Sequence, residues 1–351
     1  MPVQSVVRAV LTLLLAFVAA QLCVALRTPV PWMVGPLLAT SIASILGRPT
    51  RSLNALRNGG QWVIGTALGL YFTPQVTALV AGLWWAIALS IAWALALGWA
   101  FGRWLDHGHA ARMGGTREQQ RATSYFASAI GGASEMTLLA EREGARTDLV
   151  AASHSLRLLI VTITVPFAIG FAGLHGVDVA VPGPRVVRAS GLALLAVATG
   201  AGAWLMRRTG RANPWFMGAL LAAMGLTMAG VELSALPGWM TNAAQLVIGV
   251  SLGVRFRAEF VHTAPRWLAS VAMGTVGMIA LCAGFGALLA LGAGLHWGTM
   301  VLGTSPGGIA EMAITAKVLQ LGVPVVTAFQ VCRLVAVLML VEPLYRWGFL
   351  R

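Results

Sequence analysis

Several apolar runs in the sequence are as long as a helix that crosses a bilayer, which needs about 20 residues. They include AVLTLLLAFVAAQLCVAL, which begins at Ala9, and LWWAIALSIAWALALGWAF, which begins at Leu83. Only 10% of the residues are charged, whereas a soluble domain carries roughly 25%. The sequence therefore predicts an all-α, polytopic membrane protein whose main partner is the lipid bilayer.

Most of the charged residues are arginines. The chain has 24 basic and 11 acidic residues, with Lys317 as its one lysine. Such a basic balance can indicate binding to nucleic acid, but in a membrane protein arginines mark the cytoplasmic loops. We therefore predict no nucleic-acid partner. The three cysteines lie in apolar runs without CxxC spacing, so they predict neither a disulfide framework nor a metal site.

Five short motifs occur twice, in the same order. The pairs are SVVRA and RVVRA at Ser5 and Arg185, PWMVGPLLA and PWFMGALLA at Pro31 and Pro214, QWVIGTALG and QLVIGVSLG at Gln61 and Gln245, GGASEM and GGIAEM at Gly131 and Gly307, and HSLRLLIV and QVCRLVAV around Arg157 and Arg333. The members of each pair lie 176 to 184 residues apart. The chain is therefore predicted to be a tandem duplication, with a first transmembrane repeat over 5–175 and a second over 186–350.

Each predicted repeat has six apolar elements. They lie near residues 5–26, 31–47, 58–72, 76–104, 122–140 and 149–174, and near 186–206, 214–231, 242–254, 266–294, 299–316 and 324–345. If the fifth element of each repeat re-enters on the side that it left, ten helices span the membrane and 18 of the 24 basic residues are cytoplasmic. This distribution obeys the positive-inside rule. We therefore predict a protein of the bacterial inner membrane with both termini on the cytoplasmic side. Because each repeat then has an odd number of spans, the second is predicted to be inverted, as in many secondary transporters.

The fifth elements carry a glycine-rich acidic motif. A break in the helix is predicted in each repeat. It lies at Gly131 and Gly132 in the first repeat and at Ser305, Pro306, Gly307 and Gly308 in the second. Proline removes a backbone donor, and glycine costs roughly 1 kcal/mol relative to alanine in a helix. A second half-helix is predicted to begin after each break, and its amino end attracts anions.

Four ionisable residues follow these breaks. Glu135 and Glu311 fall in the first turn of the predicted half-helices, and Arg157 and Arg333 come 22 residues after them. Ionisable groups inside a membrane are costly and mark transport pathways. The glutamates are therefore candidates for binding a proton or cation, and the arginines for binding an anionic substrate. The alternatives are that the glutamates only cap the half-helices, and that Glu–Arg ion pairs only hold the fold together.

The third elements repeat a glutamine and a pair of glycines. Gln61 and Gln245 either face the same cavity or hold helices together by hydrogen bonds. The segments GTALG and GVSLG place two glycines on one helix face, and this spacing favours close helix packing.

These paired motifs resemble the AbrB-type duplicated membrane protein family, over residues Val6 to Leu344. Members of that family are often labelled ammonia monooxygenases or regulators of gene expression. The family is similar to the cation:proton antiporter and anion transporter superfamily. The resemblance implies inverted repeats, broken helices and the transport of an ion or small metabolite.

The predicted function is a secondary transporter that moves a small anionic metabolite or ion across the inner membrane, coupled to a proton or cation. The alternative is a membrane-embedded regulator of gene expression that acts indirectly. A membrane monooxygenase is disfavoured because the sequence has no convergent set of metal ligands, so we expect no enzyme activity and no cofactor. The substrate, the coupling ion and the oligomeric state stay open, and a homodimer is one alternative.

Overall fold

The computed structural model describes residues 3–173, 186–210, 213–256 and 264–349. Within these ranges the chain is all-α and has no strand, which confirms the predicted class. The helices are α1 (Val3–Ala25), α2 (Pro31–Ile45), α3 (Asn54–Gly69), α4 (Pro74–Gly82), α5 (Trp84–Met113), α6 (Arg117–Ser128), α7 (Ala133–Arg142), α8 (Thr147–Phe171), α9 (Ala189–Arg208), α10 (Pro214–Met228), α11 (Gly238–Gly253), α12 (Pro265–Ala293), α13 (Trp297–Thr304), α14 (Ile309–Val318) and α15 (Val323–Leu344). A π-helical turn, Tyr345–Phe349, continues α15. Arg185 and the predicted repeat ends at 175 and 350 lie outside the described residues.

Six helices are long and apolar enough to cross a membrane: α1, α5, α8, α9, α12 and α15. Their outer faces are also apolar, since Leu11 and Val18 in α1 and Val197 in α9 are 60%, 65% and 71% exposed. Large apolar patches of this kind are rare on proteins that live in water, whereas lipid accommodates them without cost. Length and surface together indicate a membrane protein.

The second and third elements of each predicted repeat are shorter than a straight span. Helices α2 and α10 have 15 residues, and α3 and α11 have 16. A helix of that length extends about 22–24 Å, whereas the hydrocarbon core is about 30 Å thick. Helix α3 is bent by 89° against α4, and the two together form one further candidate span. The described residues therefore provide six or seven candidate spans rather than ten.

The fourth element of the first repeat differs from its prediction. A single helix was expected near 76–104, but the chain forms α4 and then α5, with Leu83 outside helical geometry at φ −90° and ψ 12°. Gly82 precedes this break, and glycine is the residue that most readily leaves the helical conformation. The corresponding helix of the second repeat, α12, is continuous over 29 residues.

The chain divides into two compact units. Unit 1 contains Met1–Gly82, Pro166–Arg257 and Ala313–Thr327, and unit 2 contains Leu83–Val165, Ala258–Met312 and Ala328–Arg351. Each unit takes segments from both predicted repeats. The two repeats stay a prediction about sequence duplication.

Unit 1 is packed through glycines that let helix backbones touch. A Cβ atom on Gly65 in α3 would collide with the carbonyl group of Phe216 in α10, and a Cβ on Gly249 in α11 would come within 2.6 Å of the carbonyl oxygen of Met33 in α2. The two contacts are reciprocal. In each of them the third helix of one predicted repeat packs against the second helix of the other repeat. The structure confirms close helix packing for the GTALG and GVSLG segments.

The apolar core of unit 2 includes residues on both sides of the first glycine-rich motif, among them Ile130 and Met136. Tyr125 and Phe126 of α6 pack against Tyr345 and Phe349 of the π-helical turn, with ring centroids about 5 Å apart. The hydroxyl group of Tyr125 donates to the carbonyl oxygen of Val341 at 2.8 Å. These contacts fix α6, which leads into the first break, against α15, which carries Arg333.

Candidate functional site

Both predicted helix breaks are present in unit 2. Helix α6 ends at Ser128 and α7 begins at Ala133, whereas α13 ends at Thr304 and α14 begins at Ile309. Ala129 and Ser305 leave the helical conformation with ψ of 132° and 141°. Because the chain is extended at these points, the last carbonyl groups of α6 and α13 lose their helical donors and need other partners.

Arg333 supplies donors to the second break. Its Nη1 donates to the carbonyl oxygen of Ser305 at 2.5 Å, and its Nη2 donates to that of Gly307 at 2.8 Å. Nη2 also donates to Oε1 of Gln330, one turn earlier in α15. The guanidinium therefore bridges the residues on both sides of Pro306. Arg333 is only 4% exposed, so these hydrogen bonds form inside the protein.

Arg157 has the equivalent position at the first break. Its Nη1 donates to the carbonyl oxygen of Ser128 at 3.2 Å, and its Nη2 lies 2.7 Å from Nδ1 of His154. Nε2 of His154 lies 2.8 Å from the carbonyl oxygen of Phe126. Arg157 is 3% exposed and His154 is fully buried. One basic side chain and one neutral partner thus hold the carboxyl end of α6.

The two arginines carry positive charge that the described contacts leave without a carboxylate. Their hydrogen bonds go to the helix breaks and to His154 or Gln330, rather than to the motif glutamates. The Nε–H groups of both arginines are buried without an acceptor. The two charges also repel each other across unit 2. A buried cationic group with unused donors favours an anion as its partner.

The glutamates occupy the first turns of the second half-helices, as predicted. Glu135 and Glu311 are each the third residue of their helix, α7 and α14. A Cβ atom on Gly132 would collide with the Glu135 carboxylate, and one on Gly308 would collide with the Glu311 carboxylate. Each side chain is therefore folded back over the glycine that precedes its helix. This geometry matches a capping role, which the positive end of the helix dipole favours.

The glycines of the first break also contact α15. The position of a Cβ on Gly131 lies 3.1 Å from Val337, and that of a Cβ on Gly132 lies 3.6 Å from Leu334. Leu334 is the neighbour of Arg333, which binds the second break. Unit 2 therefore brings together the ten predicted site residues of the motifs and the sixth elements: Gly131, Gly132, Glu135, Arg157, Ser305, Pro306, Gly307, Gly308, Glu311 and Arg333.

The two predicted glutamines lie in unit 1 instead. Nε2 of Gln61 donates to Oδ1 of Asn213 at 3.3 Å, just before α10 begins. Gln245 is buried in α11. The hydrogen bond of Gln61 supports the alternative in which this residue joins helices, and membership of both glutamines in the site stays a prediction.

Sequence reasoning missed His154 and Gln330. His154 lies inside α8, and Gln330 has the equivalent place in α15, 176 residues later. Nε2 of Gln330 donates to the carbonyl oxygen of Leu302 at 2.8 Å, just as His154 contacts that of Phe126. The signal was available, because both residues begin the repeated segments HSLRLLIV and QVCRLVAV. Among the described residues, no group of three His, Cys, Asp or Glu side chains is placed to hold a metal ion.

Comparison with known proteins identifies the family. The family model described as "Transition state regulatory protein AbrB" matches residues 32–348. The "Putative regulator AbrB" of Escherichia coli (strain K12) is 27% identical over 322 residues, which cover 90% of this chain and 89% of that protein. The "Uncharacterized protein YhjN" of Bacillus subtilis (strain 168) is 24% identical over 345 residues, which cover 90% of this chain and 86% of that protein. No solved structure matches the chain. Because the family model covers most of its length, the chain belongs to the AbrB family.

Proposed function

We propose that this protein is a secondary transporter of a small anion, and that the anion binds between the two helix breaks of unit 2. The observation that carries the proposal is the pair of buried arginines, Arg157 and Arg333, whose described contacts include no carboxylate. Burying a charge inside a protein costs several kcal/mol unless another charge offsets it. A transported anion would supply that charge during part of the cycle.

The unused donors favour a carboxylate or a similar oxyanion. A guanidinium has five N–H donors in one plane, and Arg333 uses three of them for Ser305, Gly307 and Gln330. Arg157 uses two, for Ser128 and His154. The remaining donors include both buried Nε–H groups. Planar oxyanions accept from two donors of one guanidinium at once, which gives strength and orientation.

The amino ends of α7 and α14 supply the complementary part of the proposed site. Glu135 and Glu311 lie over these ends, where a protonated or cation-bound carboxyl would leave the helix dipole free to attract an anion. We therefore assign the coupling proton or cation to the two glutamates. Moving that ion and the anion together would reduce the charge that crosses the membrane.

The reciprocal contacts support the inverted-repeat arrangement. In unit 1 the third helix of each repeat packs against the second helix of the other repeat. In unit 2 Arg157 and Arg333 each bind a helix break together with a neighbouring side chain, an arrangement that we call a clamp. A two-fold relation between the repeats would produce both features. We retain ten crossings with both termini cytoplasmic as part of the proposal. Alternating access in inverted-repeat transporters uses one bundle moving against another around a fixed site.

The second candidate is a regulator of gene expression that acts indirectly from the membrane. The family description and the name of the Escherichia coli relative favour it. The two candidates agree if the transported anion is itself the signal. We propose transport rather than an enzyme, because the described site offers charge and backbone donors in place of a metal centre.

A thermal-stability screen tests the proposal. Purified protein in detergent is melted with acetate, succinate, citrate, glutamate, sulfate and phosphate, each as its sodium salt, with sodium chloride at matched ionic strength. A ligand at 100 times its Kd stabilises by about 2.7 kcal/mol. We expect one oxyanion to raise the melting temperature of the wild type and not that of Arg157→Lys. Equal shifts in the two proteins would contradict the proposed site.

A further inference from the structure

The hydrogen bonds of His154 define its charge state. Nε2 faces the carbonyl oxygen of Phe126 at 2.8 Å, and a carbonyl oxygen can only accept. Nδ1 faces Nη2 of Arg157 at 2.7 Å, and a guanidinium nitrogen can only donate. The imidazole must therefore carry its proton on Nε2 and present a lone pair at Nδ1. A neutral ring is the only form that makes both hydrogen bonds.

In the second repeat, the equivalent position makes the same two hydrogen bonds with a side chain that does not titrate. Gln330 donates from Nε2 to the carbonyl oxygen of Leu302 and accepts at Oε1 from Nη2 of Arg333. Amide and imidazole are thus interchangeable as long as the imidazole is neutral. The difference between the copies is that protonation can disrupt only the first.

Few charged groups surround His154. Arg157 faces it from its own helix, α8. Helix α6 presents the carbonyl group of Phe126 and, beside it, the phenol of Tyr125, which is engaged with Val341. Helix α12 presents the indole of Trp267, which donates to Ser153 next to His154. From α15 the charge of Arg333 acts on Arg157. Arg157 is therefore the described cation in contact with the ring, and the charge of Arg333 reaches it only through Arg157.

We propose that His154 is a proton-responsive positioning residue for Arg157, and that Gln330 is its pH-insensitive counterpart for Arg333. A proton that binds Nδ1 removes the acceptor for Nη2 of Arg157 and places a second positive charge beside the guanidinium. Arg157 then loses one of its two described partners and becomes free to bind an anion, while Arg333 stays clamped. The link to transport rests on the proposed function, whereas the clamp itself does not.

The clamp is tested by melting His154→Gln against the wild type at several pH values. The variant should keep both hydrogen bonds, as Gln330 does, so its stability near pH 7.5 should equal that of the wild type. Between about pH 7.5 and 5.5, which bracket the ordinary histidine pKa of about 6.5, the wild type should lose stability and the variant should lose less. The reason is that His154 binds a proton in the unfolded chain as the pH falls, whereas in the folded protein the hydrogen bond from Arg157 to Nδ1 excludes that proton. A falling pH therefore favours the unfolded chain. His154→Ala, which removes both hydrogen bonds, should be less stable than either protein at every pH.

Gln330→His is the matched control, because it introduces a titratable ring at the second copy. It should steepen the loss of stability at low pH, and the double variant His154→Gln, Gln330→His should restore a wild-type slope. Identical slopes for the wild type and His154→Gln would overturn the inference.

Anion binding separates this inference from the proposed function. Measured with whichever sodium salt of the thermal-stability screen stabilises the wild type, binding should strengthen as the pH falls in the wild type but not in His154→Gln. If the two proteins bind that anion with the same pH profile, His154 does not position Arg157 and the inference is wrong. If no oxyanion binds the wild type while the stability slopes still differ, the proposed function fails and the clamp stands.

Discussion

Nη2 of Arg333 lies 2.8 Å from the carbonyl oxygen of Gly307, and its Nη1 reaches Ser305 on the other side of Pro306. The same side chain that we propose as an anion ligand therefore also replaces the helical donors that the break removes. Because its hydrogen bonds to these carbonyl groups stabilise the break, Arg333 can be buried without a carboxylate partner. It also means that stability and binding must be measured separately in any arginine variant.

Removing either arginine should destabilise the fold. Arg333→Ala removes three buried hydrogen bonds, to the carbonyl oxygens of Ser305 and Gly307 and to Oε1 of Gln330, and only Ser305 keeps another donor, Nε2 of Gln330. Each buried acceptor left without a donor costs about 1–3 kcal/mol. Arg157→Ala frees one carbonyl oxygen and the Nδ1 of His154, so the loss should be smaller. Thermal unfolding in detergent measures both, with the exposed Arg207→Ala as the control. Equal melting temperatures for Arg333→Ala and Arg207→Ala would show that the clamp carries no stability.

Alanine at the glycine before each half-helix should be destabilising because of the glutamate three residues later. The new Cβ of Gly132→Ala would collide with the Glu135 carboxylate, and that of Gly308→Ala with the Glu311 carboxylate. Overpacking of this kind costs about 1–3 kcal/mol. In the double variant Gly132→Ala, Glu135→Ala the collision is gone, so the two losses should be less than additive. Strict additivity in this double-mutant cycle would mean that the side chain does not fold back over the glycine.

Much of the site could be predicted from the sequence because its strongest signals are repeated. Glycine and proline punctuate a helix whatever surrounds them, so the breaks at Gly131 and Pro306 were predictable from local chemistry. The capping position of Glu135 also follows from its distance to the break. The carbonyl partners of Arg157 and Arg333 were not predictable, because they depend on how α8 and α15 pack beside α6 and α13. The sequence offered Glu–Arg ion pairs as the alternative, whereas in the structure both arginines donate to backbone carbonyl oxygens.

The ends of the helices were harder to predict for a related reason. Apolar composition measures how well a segment tolerates lipid, but it does not fix where the helix ends. Helices α2 and α10 stop after 15 residues within longer apolar stretches. Gly82 lies inside the element predicted near 76–104, and the structure shows that α4 ends there. His154 was overlooked because a single histidine in an apolar helix has no signature apart from its repeated neighbour.

Glycines at helix contacts and glycines at open surfaces should respond to alanine with opposite signs. A Cβ on Gly65 or Gly249 meets the backbone of the facing helix, so Gly65→Ala and Gly249→Ala should lose stability by about 1–3 kcal/mol. At Gly225 in α10 and Gly277 in α12 a Cβ would meet nothing within 4 Å. There the variants should gain up to about 1 kcal/mol from helix propensity. Melting all four variants in one detergent decides the matter, and a loss at Gly225 or Gly277 equal to that at Gly65 would refute the packing argument.

Labelling of introduced cysteines tests the proposed topology. The arginine-rich turn at 207–210 follows α9 and should face the cytoplasm if the second repeat is inverted. A cysteine placed at Thr209, in a variant in which Cys23, Cys282 and Cys332 are replaced by serine, should resist a membrane-impermeant maleimide in whole cells and react after lysis. Labelling of intact cells at this position would overturn the inverted arrangement.

The most direct test of the central claim is uptake of labelled oxyanions into proteoliposomes, with and without an inward proton or sodium gradient. The wild type should accumulate one anion class in a gradient-dependent way. Glu135→Gln and Glu311→Gln should fold normally and lose the gradient dependence, because a neutral amide carries neither a proton nor a cation. Arg157→Lys and Arg333→Lys, corrected for folded protein, should transport at least about tenfold less, which equals a loss of about 1.4 kcal/mol in binding. If all four variants change only the melting temperature while the surviving folded protein transports like the wild type, these residues hold the fold together and the proposed site is wrong.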